Sequence, residues 1–129
     1  MTAGERALAA ARGAVGAPFR LHGRRVAEGL DCVGLAGLAY GCAVPSGYRM
    51  RSGTADGVAQ AVEAAGLVRV ENMRAGDLLL VRSGPGQLHL AIASEDGVIH
   101  ADAGLRRVVE RPGPVPWPVV ARWRPQEED

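Results

Sequence analysis

The stretch Asp31-Cys32-Val33-Gly34-Leu35 decides how the fold of this chain is interpreted. It puts a cysteine at the start of an apolar run that reaches Tyr40, which predicts a helix over about residues 32–42 with Cys32 in its first turn. The run is apolar nearly all round and rich in glycine, so we expect a central, closely packed helix. Because the positive end of a helix dipole favours a thiolate, Cys32 is a candidate nucleophile.

Two histidines far downstream, His89 and His100, lie inside strand-like runs of alternating side chains. A cysteine at a helix start and a histidine on a strand are the parts needed for an activated-thiol acyl transfer. In that arrangement Cys32 attacks an acyl carbon, His89 holds and returns the proton, and a third group orients the base. His100 is the first candidate for that third group, and Asp102, two residues further along the same face, is the second.

A turn signal, Glu95-Asp96-Gly97, lies between the two histidines. A two-residue loop at 95–96, or a four-residue loop over 94–97, puts both imidazoles on one face as diagonal neighbours that can hydrogen-bond. A turn centred one residue later keeps the face but moves the histidines about four residues out of line. The proposed contact therefore depends on the first register.

Helical and strand-like patterns occupy different halves of the chain. Residues 3–15 and 55–65 predict two further helices, the second capped by Thr54, while 19–29 and 43–53 read as loops. Helices first and strands afterwards indicate an α+β fold in which N-terminal helices pack on an antiparallel sheet of about five strands. The five strand-like runs are 78–81, 88–93, 98–101, 106–109 and 119–123, the last flanked by Trp117 and Trp123, which we expect to be core or edge cover.

The length of 129 residues fits one domain, which we place at residues 1–124, followed by an acidic and frayed tail at 125–129.

The formal charge is +1 and aromatic residues make up 4%, so the composition argues against a nucleic-acid partner. No run approaches the roughly 18 apolar residues of a membrane span. Charges at Glu5, Arg6 and Arg12 interrupt any signal-peptide core, which predicts synthesis in the cytoplasm without a signal peptide.

The two cysteines, Cys32 and Cys42, are ten positions apart. On one helix they would be about 15 Å apart at ~1.5 Å per residue, and a disulfide needs Cα atoms within roughly 7 Å. We therefore predict two free thiols, which fits a reducing compartment. Cys42 has no charged neighbour in sequence and is read as a small buried residue.

Five blocks of sequence together resemble the NlpC-type cell-wall peptidases, in the order and spacing of that family and over roughly residues 7–110. They are Gly16-Ala17-Pro18-Phe19, Gly29-Leu30-Asp31-Cys32-Val33-Gly34-Leu35, Ala75-Gly76-Asp77-Leu78, Leu88-His89-Leu90-Ala91-Ile92 and Val98-Ile99-His100-Ala101.

The resemblance implies a papain-like core and a cysteine endopeptidase that cleaves peptidoglycan stem peptides, often between D-glutamate and diaminopimelate. It makes Cys32 the nucleophile, His89 the base and His100 the third polar residue, with no cofactor and no metal. The single-domain build and Val33 look most like the branch found in phage tails and gene transfer agents. That likeness predicts tail proteins as partners and delivery outward in a tail-like particle.

Four residues are predicted to line the substrate site: Asp31, Phe19, Val33 and His22. Two of them depart from the resemblance, since the family commonly has tyrosine where Phe19 stands and serine where Val33 stands. Without the tyrosine hydroxyl, stabilisation of an oxyanion must rest on backbone N–H groups, with His22 or Tyr40 as helpers. Without the serine, a polar contact near the amino end of the substrate is lost, which argues against muropeptides with a free amino terminus.

Three other interpretations remain open. Cys32, His89 and His100 with a water could hold a catalytic zinc, although no pair such as Cys-x-x-Cys or His-x-x-x-His supports it. The chain could be a non-catalytic assembly module of a tail-like particle that keeps the fold and leaves the thiol unused. The same residues could also serve an amidase or acyltransferase that acts on a different acyl donor.

Overall fold

A computed structural model describes residues 1–42 and 54–127. Within that part of the chain, helix α1 (Ala3–Gly13) is followed by a short ribbon of β1 (Arg24–Arg25) and β2 (Gly29–Leu30), and then by α2 (Cys32–Tyr40) and α3 (Ala55–Ala64). Six further strands come after the helices: β3 (Val68–Arg69), β4 (Leu78–Gly84), β5 (Gln87–Ala93), β6 (Gly97–Asp102), β7 (Arg107–Pro112) and β8 (Val119–Arg124).

These six strands form one antiparallel sheet in the order β3-β8-β4-β5-β6-β7. The predicted α+β fold is confirmed, and the count of about five strands is short by one. The additional strand, β3, has two exposed residues that pair with the end of β8. Strand β1 and the first residue of β2 lie inside the loop predicted at 19–29. Neither dipeptide has the apolar alternation by which a strand is read from sequence.

All three helices begin where the sequence predicts, each behind a capping side chain. Thr2 and Glu5 form a capping box on α1, and Thr54 accepts a hydrogen bond from Gly57 N at the start of α3. Helix α2 ends two residues earlier than predicted because Gly41 adopts a left-handed conformation, with φ of 64°. The loop predicted at 43–53 lies outside the described residues.

The sheet is buried on both faces at its centre. Strand β4 begins with four fully buried apolar residues, of which Leu78 and Leu80 face the helices and Leu79 and Val81 face the other way. The second face is covered by the segment between β7 and β8, in which Val115 and Trp117 pack on the sheet. Prolines at 114, 116 and 118 alternate with these two residues and fix the backbone φ of the segment. We call residues 113–118 the proline strap.

The β5–β6 hairpin has the register that brings the histidines together. Ile92 is opposite Ile99, Ala93 is opposite Val98, and Ser94 N donates to Gly97 O at 2.9 Å. The register predicted from a loop at 95–96 is confirmed, and the alternative turn centred one residue later is wrong. The ladder between the strands stops at Ile92 and Ile99, so His89 and His100 lie where the strands diverge.

The two cysteines are free thiols, as predicted, and Trp123 is a fully buried core residue. Two residues of the tail that is predicted to fray form hydrogen bonds with the rest of the domain. Gln126 Nε2 donates to Gly66 O, and Glu127 accepts from Ala3 N. None of the helices in the described ranges is long and apolar enough to cross a membrane.

Candidate active site

The start of α2 is held by the carboxylate of Asp31, its capping residue. Oδ1 accepts hydrogen bonds from Gly34 N at 2.8 Å and from Arg24 Nη1 at 3.0 Å, and Oδ2 accepts from His22 N at 2.7 Å. Asp31 therefore joins strand β1 and the turn before it to the first turn of α2, where Cys32 lies. It lines the cleft as predicted for a substrate-binding residue, but its carboxylate already has three donors.

Cys32 lies in the first turn of α2 and is 8% exposed. Burial raises the pKa of its thiol to about 12, and the charge of Asp31 acts in the same direction. Backbone hydrogen bonds from Leu90, Val33 and Cys32 itself act to lower that pKa. Because burial outweighs these donors and the helix dipole, the resting form at neutral pH is the thiol and not the expected thiolate.

His89 and His100 form a hydrogen-bonded pair. His89 Nε2 lies 3.0 Å from His100 Nδ1, and the two rings meet edge to face at 88° with 5.1 Å between their centroids. Burial, and then the neighbouring His100, lower the pKa of His89 to about 4. Burial also lowers the pKa of His100. At neutral pH both imidazoles are uncharged, which is the form in which a histidine accepts a proton.

Trp117 is part of this site, although the sequence predicted it only as core or edge cover. Its ring packs edge to face on both imidazoles, with centroids 5.5 Å from His89 and 5.0 Å from His100. The proline strap holds the ring there while Val115 anchors the strap on the sheet. The alternation of proline through 112–118 is the signal in the sequence that a rigid segment crosses the sheet here.

A cleft of about 780 Å³ connects these residues. The three predicted catalytic residues and the four predicted substrate-binding residues all line it: Phe19, His22, Asp31, Cys32, Val33, His89 and His100. Trp117, Asp102 and Ser83 line it as well. Phe19 and Val33 give the wall beside Cys32 an apolar character. In the described structure Cys32 and His89 are not hydrogen-bonded to each other, so proton transfer requires a closer approach when substrate binds.

Tyr40 does not serve this cleft. Its hydroxyl donates to Gly76 O at 2.8 Å, and it lies eight residues after Cys32 on the helix, about 12 Å away at ~1.5 Å per residue. The expectation that Tyr40 helps to stabilise an oxyanion is wrong. His22 remains at the rim of the cleft, with a backbone φ of 62° and its N–H on Asp31. In the part of the chain that is described, no group of three or more potential ligands is placed to hold a metal ion.

A buried cysteine begins a central helix, and this helix packs against an antiparallel sheet that carries paired histidines, which is a papain-like arrangement of the α+β fold. Solved structures narrow the class to the NlpC/p60 fold. The NlpC/p60 domain of the peptidoglycan hydrolase SagA matches at 29% identity and a TM-score of 0.60, over 84% of this chain and 88% of that one. The resemblance to the NlpC-type family is thereby confirmed.

Two further structures share the fold at lower identity. NlpC2 from Trichomonas vaginalis matches at 20% identity and a TM-score of 0.71, over 95% of this chain and 47% of that one. The P60 domain of an antigen from M. avium subspecies paratuberculosis matches at 19% identity and a TM-score of 0.62, over 98% and 96%. No protein-family model matches the sequence, and neither does any curated protein. These structures do not address the phage-tail branch, which stays a prediction.

Proposed function

We propose that this chain is a cysteine endopeptidase that hydrolyses peptide bonds in the stem peptides of bacterial peptidoglycan, of the D-glutamyl-diaminopimelate type. The observation that carries the proposal is the convergence of Cys32, His89 and His100 on one cleft, with the two imidazoles 3.0 Å apart. Support comes also from the likeness to the SagA domain, which belongs to a peptidoglycan hydrolase.

In the acylation step, the Cys32 sulfur attacks the carbonyl carbon of the substrate while its proton passes to His89. Because Nε2 of His89 is engaged with His100, Nδ1 is the nitrogen left to accept that proton. The tetrahedral intermediate then collapses, the C–N bond breaks, and His89 returns the proton to the leaving amine. The product of this step is a thioester on Cys32.

Deacylation uses the same groups in the opposite sense. Water attacks the thioester carbon and gives a proton to His89, the C–S bond breaks, and the proton returns to the sulfur. The oxyanion of each intermediate needs hydrogen-bond donors. The first turn of α2 supplies them. Of the N–H groups of that turn, Asp31 accepts the one of Gly34, and the N–H of Cys32 needs no acceptor within its own helix.

Digestion of purified peptidoglycan and of a defined stem peptide tests the proposal, with the products identified by mass spectrometry. We expect a new amino terminus on diaminopimelate, a nearly complete loss of turnover in His89→Ala and a milder loss in His100→Ala, because groups that orient a base usually cost less than the base. If polymer and peptide both stay intact after prolonged incubation with wild-type protein, the proposal is refuted.

One observation favours a second candidate, the non-catalytic assembly module. Cys32 is nearly buried and burial holds its thiol protonated, as is typical of an inert cysteine. The same digestion distinguishes the candidates, because a module releases no fragment. An amidase or acyltransferase would instead leave the glutamyl-diaminopimelate bond intact and act on another acyl donor. Delivery outward in a tail-like particle is part of the proposal under either candidate.

A further inference from the structure

Asp102, the last residue of β6, lies beside the histidine pair, and the role assigned to it rests on the proposed function. We propose that Asp102 is a positioning residue that acts through His100 to keep His89 in the tautomer able to accept the Cys32 proton. Asp102 Oδ2 lies 4.0 Å from His100 Nε2, on the opposite side of that imidazole from His89. The side chain of His100 is 4% exposed and that of Asp102 is 26% exposed, so the imidazole of this pair is the part that is shielded from water.

A single proton joins the two imidazoles, and its position decides whether His89 can act as a base. If that proton is on His89 Nε2, then His89 Nδ1 is bare and can accept a proton, and the proton of His100 is on its Nε2. If it is instead on His100 Nδ1, then His89 carries its own proton on Nδ1 and cannot act as a base. Only the first of these two arrangements is productive.

Asp102 favours the productive arrangement. In it, the N–H of His100 Nε2 points toward a carboxylate, whereas in the other a bare nitrogen and a carboxylate oxygen face each other. His100 Nε2 is buried and has no hydrogen-bond partner among the described residues, so the charge of Asp102 acts on this nitrogen without a competing hydrogen bond. The two arrangements carry the same number of protons and the same net charge, and they differ only in which ring nitrogens hold the protons.

The carboxylate is held in place by the chain that follows it. Asp102 Oδ1 accepts a hydrogen bond from Leu105 N at 3.0 Å, which leaves Oδ2 directed to His100. The same charge acts to raise the pKa of both His89 and His100, in opposition to their burial. Asp102 therefore also stabilises the imidazolium that forms when His89 takes the proton.

Other groups face the pair from the surrounding elements. Arg111 of β7 acts to lower the pKa of His100, and Arg107 of the same strand is the register partner of Asp102. Trp117 of the proline strap contributes an uncharged ring, and α2 contributes the Cys32 thiol. Of these groups, Asp102 is the one that carries negative charge beside the histidines.

The test compares wild-type protein with Asp102→Asn, Asp102→Ala and a matched control, Asp96→Asn. Asp96 is an exposed carboxylate in the β5–β6 turn, so its replacement removes the same charge without touching the site. Asparagine keeps an oxygen for Leu105 N, and alanine removes the carboxylate that faces the His100 N–H. Proton-nitrogen correlation spectra of ¹⁵N-histidine-labelled protein report the tautomer of each imidazole, and the chain has three histidines to assign.

We expect His89 and His100 of the wild-type protein to carry their protons on Nε2 at pH 7. In Asp102→Ala the Nδ1–H form of His89 becomes populated, and kcat falls about tenfold with KM unchanged, while Asp96→Asn behaves as wild type. His89 also titrates at a lower pH in both Asp102 variants, which a purely structural role would not produce. A wild-type His89 protonated on Nδ1, or tautomers unchanged in both Asp102 variants, overturns the inference. Loss of the proposed function would appear separately, as wild-type protein without turnover.

Discussion

Gly34 is the residue at which a single methyl group best tests how the site is positioned. A Cβ on Gly34 would overlap the carbonyl oxygen of Gly23 and would lie 3.1 Å from the carbonyl carbon of that residue. Both atoms belong to backbone, so no flexible side chain can move aside. In Gly34→Ala, the start of α2 and the turn at Gly23 must therefore separate, and Cys32 moves with the helix.

Gly34→Ala is expected to reduce both the free energy of unfolding and the rate of turnover, and the loss of turnover is the larger effect. Overpacking of a close contact costs about 1–3 kcal/mol, which is a fraction of the roughly 5–15 kcal/mol that stabilises a small domain. A displacement of about 1 Å at a reacting group can cost on the order of 100-fold in rate. We therefore expect Gly34→Ala to stay folded at 25 °C and to lose about 100-fold in turnover of stem peptide.

Urea unfolding followed by circular dichroism, with turnover measured on the same preparations, checks this expectation. Gly13→Ala is the matched control, because Gly13 lies in α1 with open space around a new Cβ. Gly13→Ala is expected to raise the free energy of unfolding by up to about 1 kcal/mol, because alanine has the higher helix propensity, and to leave turnover unchanged. Wild-type stability and turnover in Gly34→Ala would refute the reasoning that this close contact positions the nucleophile.

Two further predictions follow from the charges. Burial lowers the pKa of His89 to about 4, so the base stays unprotonated from pH 7 to pH 5. We therefore expect kcat/KM to be nearly flat over that range and to fall only as the pH passes through about 4. A midpoint of the kcat/KM profile near pH 6.5 would contradict the burial of the base. Arg124→Met leaves the carboxylate of Asp77, which is 1% exposed, without the two hydrogen bonds at 2.9 Å that Arg124 donates, and we expect the free energy of unfolding in urea to fall by about 3 kcal/mol. The same replacement of the exposed Arg12 is expected to cost about 1 kcal/mol or less. Equal losses in the two variants would contradict the expected difference between a buried and an exposed ion pair.

The sequence was most informative where one local rule decides a feature. Asp31 before an apolar run is a capping signal, and the turn at 95–97 sets a hairpin register by parity alone. Those two signals were enough to place Cys32 at a helix start and to bring His89 and His100 into contact. The seven predicted site residues consequently line one cleft.

The features that the sequence did not predict depend on several elements at once. The burial that raises the pKa of Cys32 is the sum of contacts from the helix, the sheet and the turn before it, so a rule about helix dipoles alone pointed to the thiolate. Trp117 reaches the histidines because the proline strap crosses a sheet face that exists only in the folded chain. The exposed strand β3 lacks a pattern of its own and is defined by its partner, β8.

The central claim is that Cys32 is the nucleophile of a cell-wall peptidase, and the chain offers its own control in the second free thiol, Cys42. The most direct measurement is the release of stem-peptide fragments from purified peptidoglycan by Cys32→Ala and Cys42→Ala, with circular dichroism to show that both are folded. We predict no release by Cys32→Ala and wild-type release by Cys42→Ala. Release by a folded Cys32→Ala at the wild-type rate would contradict the claim.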